Sequence, residues 1–367
     1  MYQMESAPCA EAQINGRQMD YFCGTGYYAL QANSELIEAA CAATRLYGVS
    51  SATTRSGFGN NPVLLDVEAK AAQFFDAEAA LYYVSGYLGN GILLQGLAPD
   101  YDIIFVDEES HYSVMDGAAV AGKPIVTFAY CDVDDLASKL KSHLGDGQRP
   151  LVLTDGIFPT SGVIPPLVDY HNLLLGYPGG LLVVDDAHAT GVIGSKGQGT
   201  LEYLGIAGPG RYSSGTFSKA FGGHGGIITG SHEFIAQLKQ RAKVFNGSSA
   251  TPVSAAAATA KALDVVVAHP EMREQLWAKV AYAKNAFRGL GFTGIPDTPV
   301  PIICLSDKRV DLQSIQQALF EKGIATFYVA GGSYSSVPES GALRIAIFST
   351  HSRDQIDRLV SEIGSML

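Results

Sequence analysis

Residues 181–191 read LLVVDDAHATG, and this stretch decides the fold. Leu181–Val184 is a continuous apolar run with no polar alternation, the pattern of a strand buried on both faces of a sheet. It ends in Asp185-Asp186-Ala187-His188, so the strand delivers charge to its C-terminal edge. In open α/β sheets that edge is where ligands bind. Working outward, similar short runs recur at Ala80–Val84, Ile103–Val106, Ile125–Phe128, Leu151–Thr154 and Gly226–Thr229. Stretches with helical spacing lie between them, such as Leu64, Val67, Ala71, Phe74 and Phe75, or Leu136, Leu140 and His143. Strand and helix in alternation predict an α/β domain with a mostly parallel sheet covered on both faces.

The texture changes after about residue 250. Thr251–His269 is alanine-rich, without Gly or Pro after Pro252, and reads as a long helix, continued in helical style over Glu271–Leu290. Strand-like runs at Pro301–Leu305, Ala325–Val329 and Leu343–Ala346 alternate with helices at Leu312–Lys322 and from Ser352 onward. We therefore expect residues 46–265 to form a large domain and residues 266–367 a smaller α+β domain. Residues 1–45 have no strong pattern and are expected to pack on the smaller domain or on a partner chain.

The chain has 367 residues, 47% hydrophobic and 17% charged, which is material for a large core and excludes a disordered chain. A formal net charge of −11 argues against broad nucleic-acid binding, which needs a basic face. The longest apolar candidate, Ser254–Ala268, is interrupted by Lys261 and Asp264, so no bilayer-spanning segment is expected. The N-terminus lacks a basic region followed by an apolar stretch, so no signal peptide is expected. Five scattered cysteines, with no CxxC pair or Cys/His cluster, predict reduced thiols, a cytoplasmic protein and no metal site.

The chemistry centres on Gly215-Thr216-Phe217-Ser218-Lys219-Ala220-Phe221-Gly222-Gly223. Phe217, Ala220 and Phe221 hem in Lys219, and burial favours the neutral amine that a Schiff-base lysine requires. Alone, Lys219 reads better as a surface lysine in a glycine-rich loop. Asp185, upstream at a strand end, changes that balance. A carboxylate there can keep a pyridine nitrogen protonated, the protein's usual contribution in pyridoxal phosphate enzymes. His188 is near enough in sequence to reach the same ring's phenolic oxygen. Asp186 is better explained as a helix cap or a solvated charge. Ser85-Gly86-Tyr87-Leu88-Gly89 follows a strand and opens a helix, so its backbone N–H groups can hold a phosphate. Thr216 can add a hydroxyl. His111, in Asp107-Glu108-Glu109-Ser110-His111 after another strand, can stack on a planar cofactor.

Together these motifs resemble fold-type I pyridoxal phosphate enzymes, and more narrowly the α-oxoamine synthase family. The resemblance runs from about Leu46 to the C-terminus, on SGYLGNG, DEESHYS, FAYCDVDDL, TDGIFPTSGVIPPL, VVDDAHATGVIG and GTFSKAFGG in that order. It implies an aspartate aminotransferase-like large domain with a seven-stranded sheet. Lys219 would carry the cofactor, Asp185 would pair with its ring nitrogen and His188 with its ring oxygen. His111 and Ala187 would flank the ring, while Ser85, Gly86, Tyr87 and Thr216 would hold the phosphate. Arg344 matches the arginine that binds the amino-acid carboxylate, a task its bidentate fork suits. A strand-edge salt bridge is the plainer alternative for it. Ser248, Ser249 and Thr251 fall where such enzymes offer hydroxyls to a neighbouring subunit's phosphate, which implies a homodimer with shared active sites. The implied reaction is decarboxylative condensation of an amino acid with an acyl-CoA, giving an α-amino ketone. Aminotransfer or racemisation would use the same cofactor residues. Departures from the family pattern are Pro159, Ala189, the run Tyr21-Phe22-Cys23-Gly24-Thr25-Gly26, and Gly59-Asn60-Asn61-Pro62 after Ser56-Gly57-Phe58. They fall on the substrate side more than on the cofactor side.

Overall fold

The computed structural model describes residues 2–334 and 336–367. Thirteen strands occur among these residues, in chain order β1 (Glu11–Ile14), β2 (Arg17–Tyr21), β3 (Ala79–Tyr83), β4 (Ile103–Asp107), β5 (Ile125–Phe128), β6 (Pro150–Asp155), β7 (Leu181–Asp185), β8 (Arg211–Thr216), β9 (Gly226–Gly230), β10 (Ile302–Leu305), β11 (Ile324–Ala325), β12 (Phe327–Val329) and β13 (Ala342–Ala346). Seven of them form one sheet in the order β3-β9-β8-β7-β6-β4-β5. The run from β8 to β5 is parallel throughout.

Two expectations need correction here. Gly226–Thr229 is a strand, but β9 runs antiparallel to both β3 and β8. An apolar run records burial and carries no sign of direction. The polar run Arg211–Ser214 is part of β8, a central strand. Its small residues are there for close packing: a Cβ added at Gly89 would stand 2.8 Å from the Ser214 Cβ, and one at Gly215 would stand 2.3 Å from the Thr190 hydroxyl.

Both faces of the large sheet are covered, which explains the unalternating strands. In β4, Ile104 and Val106 pack with Ile92, Leu93 and Leu94 on one face. Ile103 and Phe105 pack with Leu136, Leu140, Tyr170 and Leu174 on the other. His143 lies outside that second core, exposed at the end of its helix. The parallel register sets Asp155 opposite Asp185, and Asp185 opposite Ser214, at adjacent strand ends. The fold thus gathers polar groups along one edge.

The C-terminal part holds an antiparallel sheet, β10-β13-β12. The Ala325–Val329 run divides, because β12 joins that sheet while β11 pairs in parallel with β2 in the sheet β1-β2-β11. Backbone bonds from Phe22 to Ala325 and from Ala346 to Phe22 fasten the N-terminal segment there. The long helix Val253–Ala268 runs across the expected boundary at residue 265, Glu271–Gly289 follows it, and Ser352 starts the last helix, Arg353–Gly364, with a capping box to Gln355.

Candidate active site

One cavity at the C-terminal edge of the large sheet is lined by Ser85, Gly86, Tyr87, His111, Asp185, Ala187, His188, Thr216 and Lys219, with Ser113, Asp155 and Ser218. All nine residues singled out for the cofactor in the sequence therefore meet at one place. Arg344 stands outside that lining. It lies on the central strand β13, where its Nε donates to the Pro159 carbonyl at 2.6 Å and Nη1 to the Gly24 carbonyl at 3.4 Å. It makes no salt bridge among the described residues.

Asp185 is held from several sides. Its Oδ1 accepts from the Ala187 N–H at 3.0 Å, and its Oδ2 accepts from the Asn90 amide at 2.6 Å and the Ser113 hydroxyl at 3.4 Å. Asp186 is neither a cap nor solvated. It is buried, accepts from the Thr200 N–H and hydroxyl, and burial pushes its pKa up to about 7. Burial also takes Asp155 well above the carboxylate range, helped by the nearby charge of Asp185. Asp155 accepts from the His111 N–H at 2.7 Å and so fixes the start of the following helix.

Burial pulls the Lys219 amine down to about 8, against the opposing charges of Asp185 and Asp155. The aromatic neighbours expected from the sequence are there, since Phe217 and Phe221 are wholly buried. Burial also lowers His111, and takes His188 well below its ordinary value. The His111 ring bonds the Ser113 hydroxyl at 2.8 Å and meets Tyr87 edge-on at 6.1 Å. The Tyr87 hydroxyl donates to Asp116 at 2.5 Å.

The opposite end of the cavity suits a phosphate. Ser85 caps the short turn Gly86–Leu88, whose N–H groups open the helix Gly89–Gly96. Thr216 donates to the Gly225 carbonyl at 2.8 Å and contacts the Ser218 hydroxyl at 2.7 Å. Gly86 leaves a cradle that a side chain would fill: an added Cβ would lie 2.7 Å from the Thr216 hydroxyl oxygen. An amine of lowered proton affinity, a hydrogen-bonded carboxylate, a flanking imidazole and an anion cradle in one cavity fit a pyridine aldehyde phosphate.

The sequence reading missed Tyr27, Asn90, Ser113, Asp155 and Ser218. Asn90 sits inside a glycine-rich turn and looks like a turn residue. Tyr27, whose hydroxyl lies 2.7 Å from Nδ1 of His188, comes from a segment with no readable pattern. Ser248, Ser249 and Thr251 do not reach this cavity. The Ser248 hydroxyl donates to the Val244 carbonyl, Ser249 bridges to Thr54, and the Thr251 side chain is buried.

The family model for aminotransferase class I and II matches residues 23–363. The chain belongs to that family. Within it, the relatives place the chain in the α-oxoamine synthase group. The 8-amino-7-oxononanoate synthase 2 of Bacillus subtilis is 33% identical over 364 residues, 99% of this chain and 92% of that protein. The 8-amino-7-oxononanoate synthase of Symbiobacterium thermophilum is 31% identical over 366 residues, again 99% and 92%. A solved serine palmitoyltransferase from Sphingomonas wittichii superposes with a TM-score of 0.88 at 25% identity, covering 97% of this chain and 89% of that one. No helix among the described residues is long and apolar enough to cross a membrane.

Proposed function

We propose that the protein is a pyridoxal phosphate-dependent acyltransferase that condenses an amino acid with an acyl-CoA thioester. Carbon dioxide and CoA leave, and the product is an α-amino ketone. The observation that carries this reading is the pairing, in one cavity of an α-oxoamine synthase chain, of a partly neutral Lys219 with a hydrogen-bonded Asp185.

Each residue has work that follows from its position. Asp185 would sit at the ring nitrogen, with Asn90 and the Ala187 N–H fixing its orientation. His188 would face the ring oxygen, and His111 and Ala187 would bound the ring on its faces. The turn Ser85–Tyr87 and the Thr216 and Ser218 hydroxyls would hold the phosphate. When bound, the cofactor supplies an electron-accepting ring next to the substrate Cα. Lys219 Nζ, once free of it, has the proton affinity to take and return a proton at that carbon near neutral pH. Arg344 spends Nε and Nη1 on carbonyls, so Nη2 remains for a substrate carboxylate.

We further propose a cytoplasmic homodimer in which Ser248, Ser249 and Thr251 serve the partner's phosphate. The exposed Leu46, Val49 and Phe58, the last 98% exposed, are apolar surface that such a partner would cover.

The test is turnover of amino acid and acyl-CoA pairs, read by free thiol release and carbon dioxide. Lys219→Ala should abolish both. Formation of a 2-oxo acid without thiol release would establish aminotransfer instead.

A further inference from the structure

We propose that Tyr27 is a positioning residue: its hydroxyl fixes His188 as an Nε2–H donor toward the cavity. The proposal rests on the reading above only in what Nε2 faces.

Heavy-atom positions leave an imidazole's tautomer open, and its neighbours decide it. The Tyr27 hydroxyl lies 2.7 Å from Nδ1, and both side chains are buried. The charge of Arg344 also bears on Tyr27. A guanidinium only donates. The Tyr27 phenol has a single proton to give and Arg344 cannot take it, while the described residues place Nδ1 before it as acceptor. Burial keeps Tyr27 protonated, with its pKa pushed up to about 12. Burial, with the positive charges of Lys219, Arg344 and His111, keeps His188 neutral. A neutral imidazole that accepts at Nδ1 carries its proton on Nε2. The hydrogen bonds therefore run in one direction, from Tyr27 through His188 into the cavity.

The frame around Tyr27 is built without any ligand. Its N–H donates to the Thr25 carbonyl at 3.0 Å and its carbonyl accepts from the Ser349 N–H at 2.8 Å. The Tyr28 hydroxyl donates to the Gly191 carbonyl, beyond β7. Ala29 turns the chain with a φ of 56°, a left-handed value. The segment is thus pinned both to the C-terminal part and to the loop that carries His188.

The relay gives the site a property no single member has. The charge of Arg344, the residue placed to receive a carboxylate, bears on both Tyr27 and His188, so a carboxylate that neutralises it changes the pair at the ring oxygen.

The experiment is long-range 1H–15N correlation on 15N-histidine-labelled, cofactor-free full chain, with His188 assigned by its loss in His188→Gln. Wild type should show an unprotonated Nδ1 and a protonated Nε2, and Tyr27→Phe should populate both tautomers. A protonated Nδ1 in wild type, or an unchanged pattern in Tyr27→Phe, overturns the proposal. The wild-type spectrum decides alone if Tyr27→Phe does not fold. With pyridoxal phosphate bound, Tyr27→Phe should shift the pH midpoint of the visible band and lower kcat about 2- to 10-fold, the worth of one neutral hydrogen bond, with little change in KM. An unmoved midpoint also overturns it. If wild type takes up no pyridoxal phosphate, the functional reading fails, and the cofactor-free spectrum still judges the relay.

Discussion

Lys219 lowers the stability of the cofactor-free protein, and replacing it by methionine should show this. The ordinary lysine value of 10.5 falls to about 8 in the folded chain. Between those values the unfolded chain binds the proton and the folded chain does not, so stability rises with pH across that window. Below pH 8 the folded protein carries the full penalty of a desolvated ammonium, about 3 kcal/mol at 1.36 kcal/mol per tenfold change in proton affinity. The side chain is half-buried, and water entering from the cavity screens part of the charge, so about 1–3 kcal/mol is the working range. Methionine has similar length and no charge. Urea denaturation of cofactor-free Lys219→Met and wild type, at pH 7 and again near pH 10, tests the argument. The variant should be more stable at pH 7, and its advantage should shrink as pH rises. A variant less stable at pH 7, or an advantage independent of pH, would refute it.

Three other outcomes follow from the same geometry. Asn90→Ala removes a hydrogen bond to a buried carboxylate, worth about 1.5–3 kcal/mol, and should weaken pyridoxal phosphate binding roughly 10- to 100-fold by fluorescence titration. Gly86→Ala places a Cβ 2.7 Å from the Thr216 hydroxyl oxygen, and overpacking of that kind costs about 1–3 kcal/mol. Pyridoxal phosphate should lose affinity while pyridoxal, lacking the phosphate, should lose little. His351 is buried between the Phe348 N–H and the Tyr21 carbonyl, and burial pulls its pKa from 6.5 down to about 4. The unfolded chain therefore gains a proton first on acidification, and about 3 kcal/mol of stability should disappear between pH 6.5 and 4. In His351→Gln that acid slope should flatten, as measured by urea unfolding at several pH values.

The large sheet was readable because β4, β6 and β7 are buried on both faces, and such burial writes itself as unbroken Ile, Leu and Val. β8 was hidden because packing there demands small residues, and Ser213, Ser214 and Gly215 look like a loop. The direction of β9 was hidden because burial is the same in either orientation. β1 and β2 have too few apolar residues to stand out, and β11, the second partner of β2, lies some three hundred positions away. At the site, Lys219, Asp185, His111 and His188 announce themselves by charge beside apolar runs. Tyr27 and Asn90 act through buried hydrogen bonds to groups remote in sequence, and single residues carry no trace of such partners.

The pairing of β2 with β11 sets a timetable for biosynthesis. Asp20 leaves the ribosome some three hundred residues before Ile324, which lies opposite it. Throughout that interval the nascent hairpin presents an unsatisfied strand edge, a template for aggregation. Cellular chaperones that shield exposed edges should therefore matter more to the yield of this protein than the stability of its finished fold would suggest.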